Sequence, residues 1–218
     1  MKVLVFNGWA ASVHAWDLCT FRRDALFSYT DQLAGLPERM LEGDRAGAVL
    51  VGWSMGGSSA LRMLLKYRER IRGLVLVAAT PRMMRDEGWS GMSPRRLEAL
   101  KHGLELTRGE GFFGVPEGKP NPYMMDREEN LNAGLKYLVD TDLRAGLESL
   151  GETAMPVYIF QSERDGIVKA DNAVFLKKVF PQAHVELIPG FEHALPIEIP
   201  EKISAAVESC AAMSEERL

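Results

Sequence analysis

Residues 49–57 read VLVGWSMGG and form the most informative stretch of this chain. They place the pattern G-x-S-x-G directly after an apolar run and directly before a helix-like stretch, which predicts a sharp strand-to-helix turn. Such a turn strains its central residue and brings neighbouring backbone close. We therefore expect that a Cβ at Gly52 or at Gly56 would collide with neighbouring backbone, so that only glycine fits there. The turn would expose Ser54 and place the Met55 amide at the positive end of the helix. The alternative is a glycine-rich turn with no chemistry.

Alternating strands and helices surround this turn. Six short aliphatic runs are typical of strands covered on both faces: Val3–Phe6, Leu26–Tyr29, Ala48–Val51, Leu74–Ala78, Val157–Phe160 and Val185–Ile188. Helix-like stretches lie between or after them: Gly57–Arg70, Ala170–Val179 and Glu201–Met213. This alternation predicts an α/β fold with a parallel sheet and right-handed crossovers.

One interval breaks the alternation, because the fifth strand begins only near Met155, long after the fourth ends near Thr80. A connection of that length predicts an inserted cap. Leucine spacing within it predicts helices over Pro94–Thr107, with Leu97, Leu100, Leu104 and Leu106, and over Arg127–Val139. The Gly- and Pro-rich residues 109–122 predict a loop between the two helices. We therefore expect a core of residues 1–80 and 141–218, with a helical cap of residues 81–140.

Composition and charge exclude several classes of function. The 218 residues carry a net charge of −4, which offers no global basic field for a nucleic acid. No apolar run is long enough to span a bilayer, and the first residues predict a strand rather than a secretion signal. Cys19 and Cys210 are far apart and lack the spacing of a zinc site or a disulfide framework. A cytoplasmic monomer with reduced thiols, no metal and no cofactor is expected.

Two further residues complete a possible catalytic triad. A serine hydroxyl needs a base to remove its proton, and that base needs an anion to orient it. Asp165 follows the fifth predicted strand and precedes Gly166, while His193 follows the sixth, and the chain order Ser, Asp, His is that of the α/β-hydrolases. The alternatives for the base are His14, His102 and His184, and those for the acid are Glu163 and Asp171.

The turn Asn7-Gly8-Trp9 follows the first predicted strand and offers a second backbone amide beside the turn that holds Ser54. With the amide of Met55, the amide of Trp9 is a candidate donor to an oxyanion. Trp9 also has a simpler interpretation, as a side chain that covers the edge of the sheet. A phosphate-binding loop at residues 52–57 is disfavoured, because the stretch lacks both G-x-G-x-x-G and the Gly-Lys-Ser/Thr ending.

These motifs together resemble the pimeloyl-[acyl-carrier protein] methyl ester esterase family of biotin synthesis, whose members have the α/β-hydrolase fold. The similar stretches are Asn7-Gly8-Trp9, residues 52–57, Arg85–Trp89, Thr141–Arg144, Asp165–Val168 and His193-Ala194. The chain departs from the family pattern at Asn7, where the family has His. It also lacks the family's first two antiparallel strands, and its cap and the connection over residues 32–46 look short.

The resemblance implies a short α/β-hydrolase fold with six parallel strands in the order 2-1-3-4-5-6. It implies hydrolysis of an acyl ester through an acyl-enzyme, with Ser54 as nucleophile, His193 as base and Asp165 as its orienting acid. Trp9, Phe112 and Phe113 are expected to contact substrate, within an apolar lining drawn from other cap residues: Met83, Met84, Trp89, Met92, Tyr123, Met124 and Met125.

The resemblance also suggests a partner, an acidic acyl-carrier protein that contacts the cap arginines Arg95, Arg96 and Arg108. The acidic cap residues leave no large local positive excess, so an ordinary solvated helix face is the alternative. Two other functions stay open at this point. One is a broad short-chain esterase or thioesterase, and the other is an acyl-binding protein without catalysis on the same fold.

Overall fold

The computed structural model describes residues 1–42, 47–108 and 118–215. Six parallel strands form one sheet in the order β2-β1-β3-β4-β5-β6, which confirms the predicted sheet and its topology. The strands are β1 (Lys2–Phe6), β2 (Ala25–Phe27), β3 (Ala48–Trp53), β4 (Ile71–Val77), β5 (Val157–Ser162) and β6 (His184–Ile188). The direction of winding reverses between β1 and β3, so the turns after these two strands are neighbours at the carboxyl edge.

Several strands differ from the prediction at their ends or in their burial. β4 begins at Ile71, three residues before the predicted start at Leu74. The predicted second strand reached Tyr29, but β2 ends at Phe27 because Ser28 and Asp31 form a capping box that begins a helix at Tyr29. The last strand was expected to be covered on both faces, yet only Ile188 of β6 is buried. β6 pairs with β5 alone, so it is an edge strand with one open side.

The helices in the described part of the chain lie on both faces of the sheet and above its carboxyl edge. They are α1 (Tyr29–Leu33), α2 (Leu36–Glu42), α3 (Met55–Lys66), α4 (Pro94–Thr107), α5 (Glu128–Asp140), α6 (Arg144–Glu148), α7 (Asp171–Val179), α8 (Leu195–Glu198) and α9 (Pro200–Glu215). Short 3₁₀ turns occur at Val13–Trp16 and Arg68–Arg70. The sequence prediction missed α1, α2, α6 and α8, which have seven residues or fewer and show little periodicity.

Alternate residues of the central strands build two cores. Val49 and Val51 of β3 pack with Ile203 and Val207 of α9 on one face. Leu50 belongs to the opposite face, where α3 and α7 contribute their buried leucines. This alternation follows from the two-residue repeat of a strand, which sends successive side chains to opposite faces. The core on the α9 face also extends to the carboxyl edge, where it includes Trp9 and Trp53.

The long connection between β4 and β5, residues 78–156, contains α4 and α5 and is called the β4–β5 segment below. Its leucines Leu97, Leu100 and Leu104 are buried in the same core as Trp9 and Trp53, so α4 lies against the carboxyl edge. Leu106 was expected on the same face of α4 but is 72% exposed, because it lies off the stripe formed by the other three. The division into a core and a cap at residues 81 and 140 stays a prediction.

Two predictions about the whole chain can be compared with the structure. Cys19 and Cys210 are both buried and form no disulfide. Of the helices in the described residues, none combines the length and the apolar character that crossing a membrane requires.

Candidate active site

The turn between β3 and α3 holds Ser54 in a strained conformation. Its φ of 56° and ψ of −120° lie outside the regions that non-glycine residues ordinarily adopt. A Cβ on Gly52 would lie 2.5 Å from the carbonyl oxygen of Gly56, and a Cβ on Gly56 would lie 2.1 Å from that of Phe6. Only glycine fits at these two positions, as the sequence predicts.

Ser54, His193 and Asp165 form one chain of hydrogen bonds. The Oγ of Ser54 lies 2.8 Å from Nε2 of His193, and Nδ1 of His193 lies 2.7 Å from Oδ2 of Asp165. The three residues are only 7%, 2% and 3% exposed. Because an ionised carboxylate can only accept, Nδ1 of His193 donates to Asp165 and Nε2 is left to accept the serine proton. The structure thus brings together the three residues that the sequence singled out.

The turn after β5 fixes the Asp165 carboxylate. Its Oδ1 accepts the backbone N–H groups of Ile167 at 2.8 Å and Val168 at 2.9 Å. Its Oδ2 also accepts Nε2 of Gln161 at 3.3 Å, and Gln161 in turn donates to the carbonyl of Val168. The sequence reasoning missed Gln161, although a buried glutamine near the end of an otherwise apolar strand is a usable signal.

Trp53 joins the turn of Ser54 to the turn of His193. Its Nε1 donates to the main-chain carbonyl of His193 at 2.9 Å, and its ring packs at 5.7 Å, centroid to centroid, from the imidazole. On the other side of the imidazole turn, the Ser162 hydroxyl donates to the carbonyl of Phe191. The sequence analysis considered Trp53 only as part of the motif around Ser54 and did not predict its contact with His193.

The alternative bases and acids lie elsewhere. His14 is exposed and pairs with Asp17, His102 is exposed on α4, and His184 is exposed at the start of β6. The carboxylate of Asp171 accepts the hydroxyl of Ser90, and Glu163 is exposed.

Two backbone amides lie beside Ser54 without an acceptor. Within the described residues, neither the N–H of Trp9 nor that of Met55, the first residue of α3, donates a hydrogen bond. A Cβ on Gly8 would lie 3.4 Å from the Cβ of Ser54, so the turn after β1 adjoins the serine. The side chain of Trp9 is anchored separately, since its Nε1 donates to the carbonyl of Leu131 at 3.0 Å. Such amides can bind a developing negative charge.

Comparison with known proteins agrees with this geometry. A family model described as the alpha/beta hydrolase family matches residues 3–206, which is most of the chain. The chain belongs to the alpha/beta hydrolase family.

Several relatives of this chain bear the same name. A pimeloyl-[acyl-carrier protein] methyl ester esterase from Yersinia enterocolitica is 26% identical over 219 residues, covering 93% of this chain and 83% of the relative. One from Vibrio vulnificus is 29% identical over 212 residues, covering 87% of this chain and 79% of the relative.

Two solved structures share the fold of this chain. An esterase from Exiguobacterium antarcticum superposes with a TM-score of 0.72 at 19% identity, covering 96% of this chain and 91% of that one. A bromoperoxidase from Bacillus anthracis has the same TM-score at 20% identity, covering 97% and 91% of the two chains. At these identities the likeness concerns the fold alone.

The cavity beside Ser54 in this alpha/beta hydrolase is nearly closed. Its volume is about 20 Å³, little more than one water molecule needs. Its lining residues are Gly8, Trp9, Trp53, Ser54, Met83, Leu100, Tyr123, Leu138, Ile167 and His193. Apart from Ser54 and His193, the polar side-chain groups among them are the hydroxyl of Tyr123 and the indole N–H groups of Trp9 and Trp53, which donate to the carbonyls of Leu131 and His193. The described wall therefore suits an uncharged, largely apolar ligand.

Part of the predicted lining lies elsewhere. Of the expected cap residues, Met83 and Tyr123 do face the cavity, whereas Met124 and Met125 are exposed. Trp89 packs against Phe175 and its Nε1 donates to the carbonyl of Arg82, so it does not line the cavity. Phe112 and Phe113 lie outside the described residues. No group of His, Cys, Asp or Glu side chains in the described ranges could hold a metal ion.

The phenol of Tyr123, which lines this cavity, is uncharged. Burial raises the pKa of Tyr123 well above its usual value, and the nearby carboxylates of Asp165, Glu198 and Glu192 raise it further. The phenol therefore keeps its proton at neutral pH and adds no charge to the wall. Its ring packs at 5.9 Å, centroid to centroid, from that of Trp53, which lines the same cavity.

Proposed function

We propose that this chain is a serine esterase that hydrolyses the ester of an acyl chain through an acyl-enzyme. The observation that carries the proposal is the buried hydrogen-bond chain from Ser54 through His193 to Asp165, beside two backbone amides without an acceptor. A base hydrogen-bonded to the nucleophile and an acid that orients the base are the arrangement that nucleophilic acyl transfer requires.

The reaction follows from this geometry. His193 Nε2 takes the proton of Ser54 as Oγ bonds to the ester carbonyl carbon, and the carbonyl oxygen becomes an oxyanion held by the amides of Trp9 and Met55. The C–O bond to the alcohol then breaks, and His193 returns the proton to the leaving alcohol. Water deprotonated by His193 attacks the acyl-enzyme, which releases the carboxylic acid and restores Ser54. Asp165 stabilises the imidazolium in both halves.

The substrate that we favour is a methyl ester on an acyl chain carried by acyl-carrier protein, in biotin synthesis. Support comes from the relatives named for hydrolysis of pimeloyl-[acyl-carrier protein] methyl ester, and from the similar stretches of sequence. The apolar cavity wall agrees with it, since a methyl ester is neutral whereas the acid it yields is charged. Residues 81–140 would form the cap over the bound acyl chain, with Phe112 and Phe113 among its contacts.

The experiment is hydrolysis of a carrier-bound acyl methyl ester and of small free esters by the wild-type protein and by Ser54→Ala. We expect Ser54→Ala to lower kcat by about 10⁵-fold or more while the melting temperature stays nearly unchanged. Ser59→Ala is the matched control, because this buried serine lies one turn further along α3 and donates to Tyr137. Turnover near the wild-type rate in Ser54→Ala would refute the proposal, and equal use of all esters would favour a broad short-chain esterase.

For the carrier, we propose that Arg95 of α4 and Arg108, which caps the C-terminus of α4, contact its acidic surface. Both are exposed, whereas Arg96 already donates to the carbonyl of Gly166 at 2.8 Å and holds α4 to the turn of Asp165. Charges at the rim of a protein–protein interface act mainly on the rate at which the two proteins associate. Reversal of Arg95 and Arg108 to Glu should therefore lower kcat/KM for the carrier-bound ester and weaken its dependence on salt.

Hydrolysis of a small free ester should hardly change in the same double variant. Arg39→Glu on α2 is the control, because this arginine is exposed but lies outside the β4–β5 segment. An equal response of both substrates, or of neither, would remove α4 as the docking surface.

A further inference from the structure

Asn7 is the most completely bonded polar side chain next to the candidate oxyanion site. It is 0% exposed and stands at the end of β1, immediately before the turn Gly8-Trp9. Its Nδ2 donates to the carbonyls of Ala11 at 3.0 Å and Ser12 at 2.8 Å. Its Oδ1 accepts Nε1 of Trp16 at 3.1 Å. Both hydrogens of its amide and its side-chain oxygen are therefore engaged.

Through these bonds the Asn7 side chain links the start of the loop of residues 8–12 to its end at Ala11 and Ser12. The backbone within this loop is itself unusual, since Ala10 has a φ of 52°. A non-glycine residue holds that conformation only where its surroundings enforce it. Trp9 belongs to this loop and its N–H has no acceptor among the described residues, so the orientation of that N–H depends on the loop that carries it.

The β4–β5 segment holds the same loop from outside. The N–H of Ser12 donates to the carbonyl of Pro122 at 2.7 Å, and the N–H of Met124 donates to the carbonyl of Ala10 at 2.9 Å. These bonds hold the middle and the far end of the loop from outside, and within it the N–H of Ala11 donates to the carbonyl of Gly8 at 3.3 Å. Asn7 is thus the side chain that ties the far end, through Ala11 and Ser12, back to the strand on which the loop begins.

We propose that Asn7 is a positioning residue that fixes the Trp9 amide toward the oxyanion, an inference that rests on the esterase function proposed above. Preorganised donors stabilise a transition state only when their direction is fixed before the charge develops. Two donors and one acceptor are needed at this point, and an asparagine supplies them. A neutral histidine, the family's residue here, supplies one of each, and an aspartate supplies no donor and faces two carbonyl oxygens.

The test compares hydrolysis of an ester with that of the matching thionoester, in which sulfur replaces the carbonyl oxygen. Sulfur accepts hydrogen bonds weakly, so thionoester hydrolysis draws little on the oxyanion amides. For Asn7→Ala and Asn7→Asp we expect ester kcat to fall by about 10- to 100-fold with KM within about twofold, part of the loss that follows deletion of an oxyanion donor. Thionoester kcat should fall much less, so the ester-to-thionoester ratio should drop by about 10-fold.

Asn172→Ala is the matched control. Asn172 is also buried, accepts the hydroxyl of Thr80 and donates to the carbonyl of Lys169, and lines no part of the cavity. Its loss should leave the ratio unchanged. If Asn7→Ala and Asn7→Asp do not fold, Asn7→His decides, because it keeps one donor and one acceptor and should lower the ratio by a smaller factor.

An unchanged ratio in every folded Asn7 variant would overturn the proposal even if the wild-type protein is an active esterase. Failure of the esterase function itself has a different signature, namely a wild-type protein that hydrolyses neither substrate or a Ser54→Ala variant that still hydrolyses both.

Discussion

The turns at the carboxyl edge of the sheet and the β4–β5 segment above them are held by different contacts. Asp165 and His193 are bonded through short, buried hydrogen bonds, to each other and to neighbouring backbone or indole groups. The β4–β5 segment contributes Met83, Leu100, Leu138 and Tyr123 to the cavity, and its polar contact with the turn of Asp165 is the exposed bond from Arg96 to Gly166.

The base of the β4–β5 segment, meaning the place where its first residues meet residues 142–144, is held by ion pairs. Arg82 and Arg144 both pair with Asp142 and with Asp86, and the guanidinium of Arg144 lies 5.2 Å from the ring of Trp89. These charges are partly exposed, and each such pair contributes little on its own. The comparison separates a hydrogen-bonded edge, which carries the triad, from a segment that covers it mainly with apolar side chains.

The largest effect expected at the hydrogen-bonded edge follows Asp165→Asn. The backbone N–H groups of Ile167 and Val168 would keep the amide oxygen, so the NH₂ group would face His193. Nδ1 of His193 would then have to accept, and the proton would move to Nε2, where it blocks removal of the serine proton. We expect kcat to fall by about 10⁴-fold with the fold intact. Steady-state kinetics and a melting curve check both points.

Asp171→Asn is the control for this prediction, because Asp171 is the other aspartate near the end of β5 and bonds to Ser90. It should keep activity within a few-fold. A similar loss in both variants would show that the turn, rather than the orientation of the base, had failed.

The residues at the hydrogen-bonded edge were also those that the sequence identified best. Gly52 and Gly56 are required by backbone contacts that any such turn makes, and Asp165 and His193 follow strands that end at the same edge. The contact of Trp53 was not predicted, because it joins two turns that are distant in sequence. Gln161 and Asn7 bond to residues nearby in sequence, but those partners depend on how each loop folds, which no motif specifies. The lining by Leu100 and Leu138 was missed for a similar reason, since it depends on how α4 and α5 pack.

A smaller effect on kcat should distinguish two tryptophans whose indole N–H groups make similar bonds, one at the carboxyl edge and one in the β4–β5 segment. Trp53 donates to the carbonyl of His193 and Trp89 to that of Arg82, both at 2.9 Å. Trp53→Phe removes the bond but keeps an aromatic ring, and should lower kcat by about 10-fold because it loosens the base. Trp89→Phe should lower the melting temperature with kcat nearly unchanged. Equal effects of both variants on kcat would contradict the division into two regions.

The smallest effect concerns pH and two carboxyl groups. Burial, with help from Glu192, raises the pKa of Glu198 to about 7, so its folded form binds a proton more tightly than its unfolded form. The free energy of unfolding therefore falls as pH rises from about 4.5 to about 7. Glu198→Gln should raise the melting temperature by roughly 2–4 °C above about pH 7 and change it little below about pH 4.5.

Asp142 at the base of the β4–β5 segment should respond in the opposite sense. Its hydrogen bonds and ion pair with Arg144 lower the pKa of Asp142 to about 2, so its stabilisation is present above about pH 4 and is lost as pH falls toward about 2. Asp142→Asn should lower the melting temperature at neutral pH, and the difference should close in acid. Melting curves recorded across this pH range with the same sign for both variants would contradict the assignment.

The central claim is that Ser54 is the nucleophile, and covalent labelling tests it most directly. A fluorophosphonate reacts with a serine activated by its base, and peptide mass spectrometry locates the adduct. We expect one equivalent on Ser54, with labelling lost in His193→Ala and retained in Ser59→Ala. An adduct on another residue, or no adduct on a folded protein that still hydrolyses esters, would contradict the account.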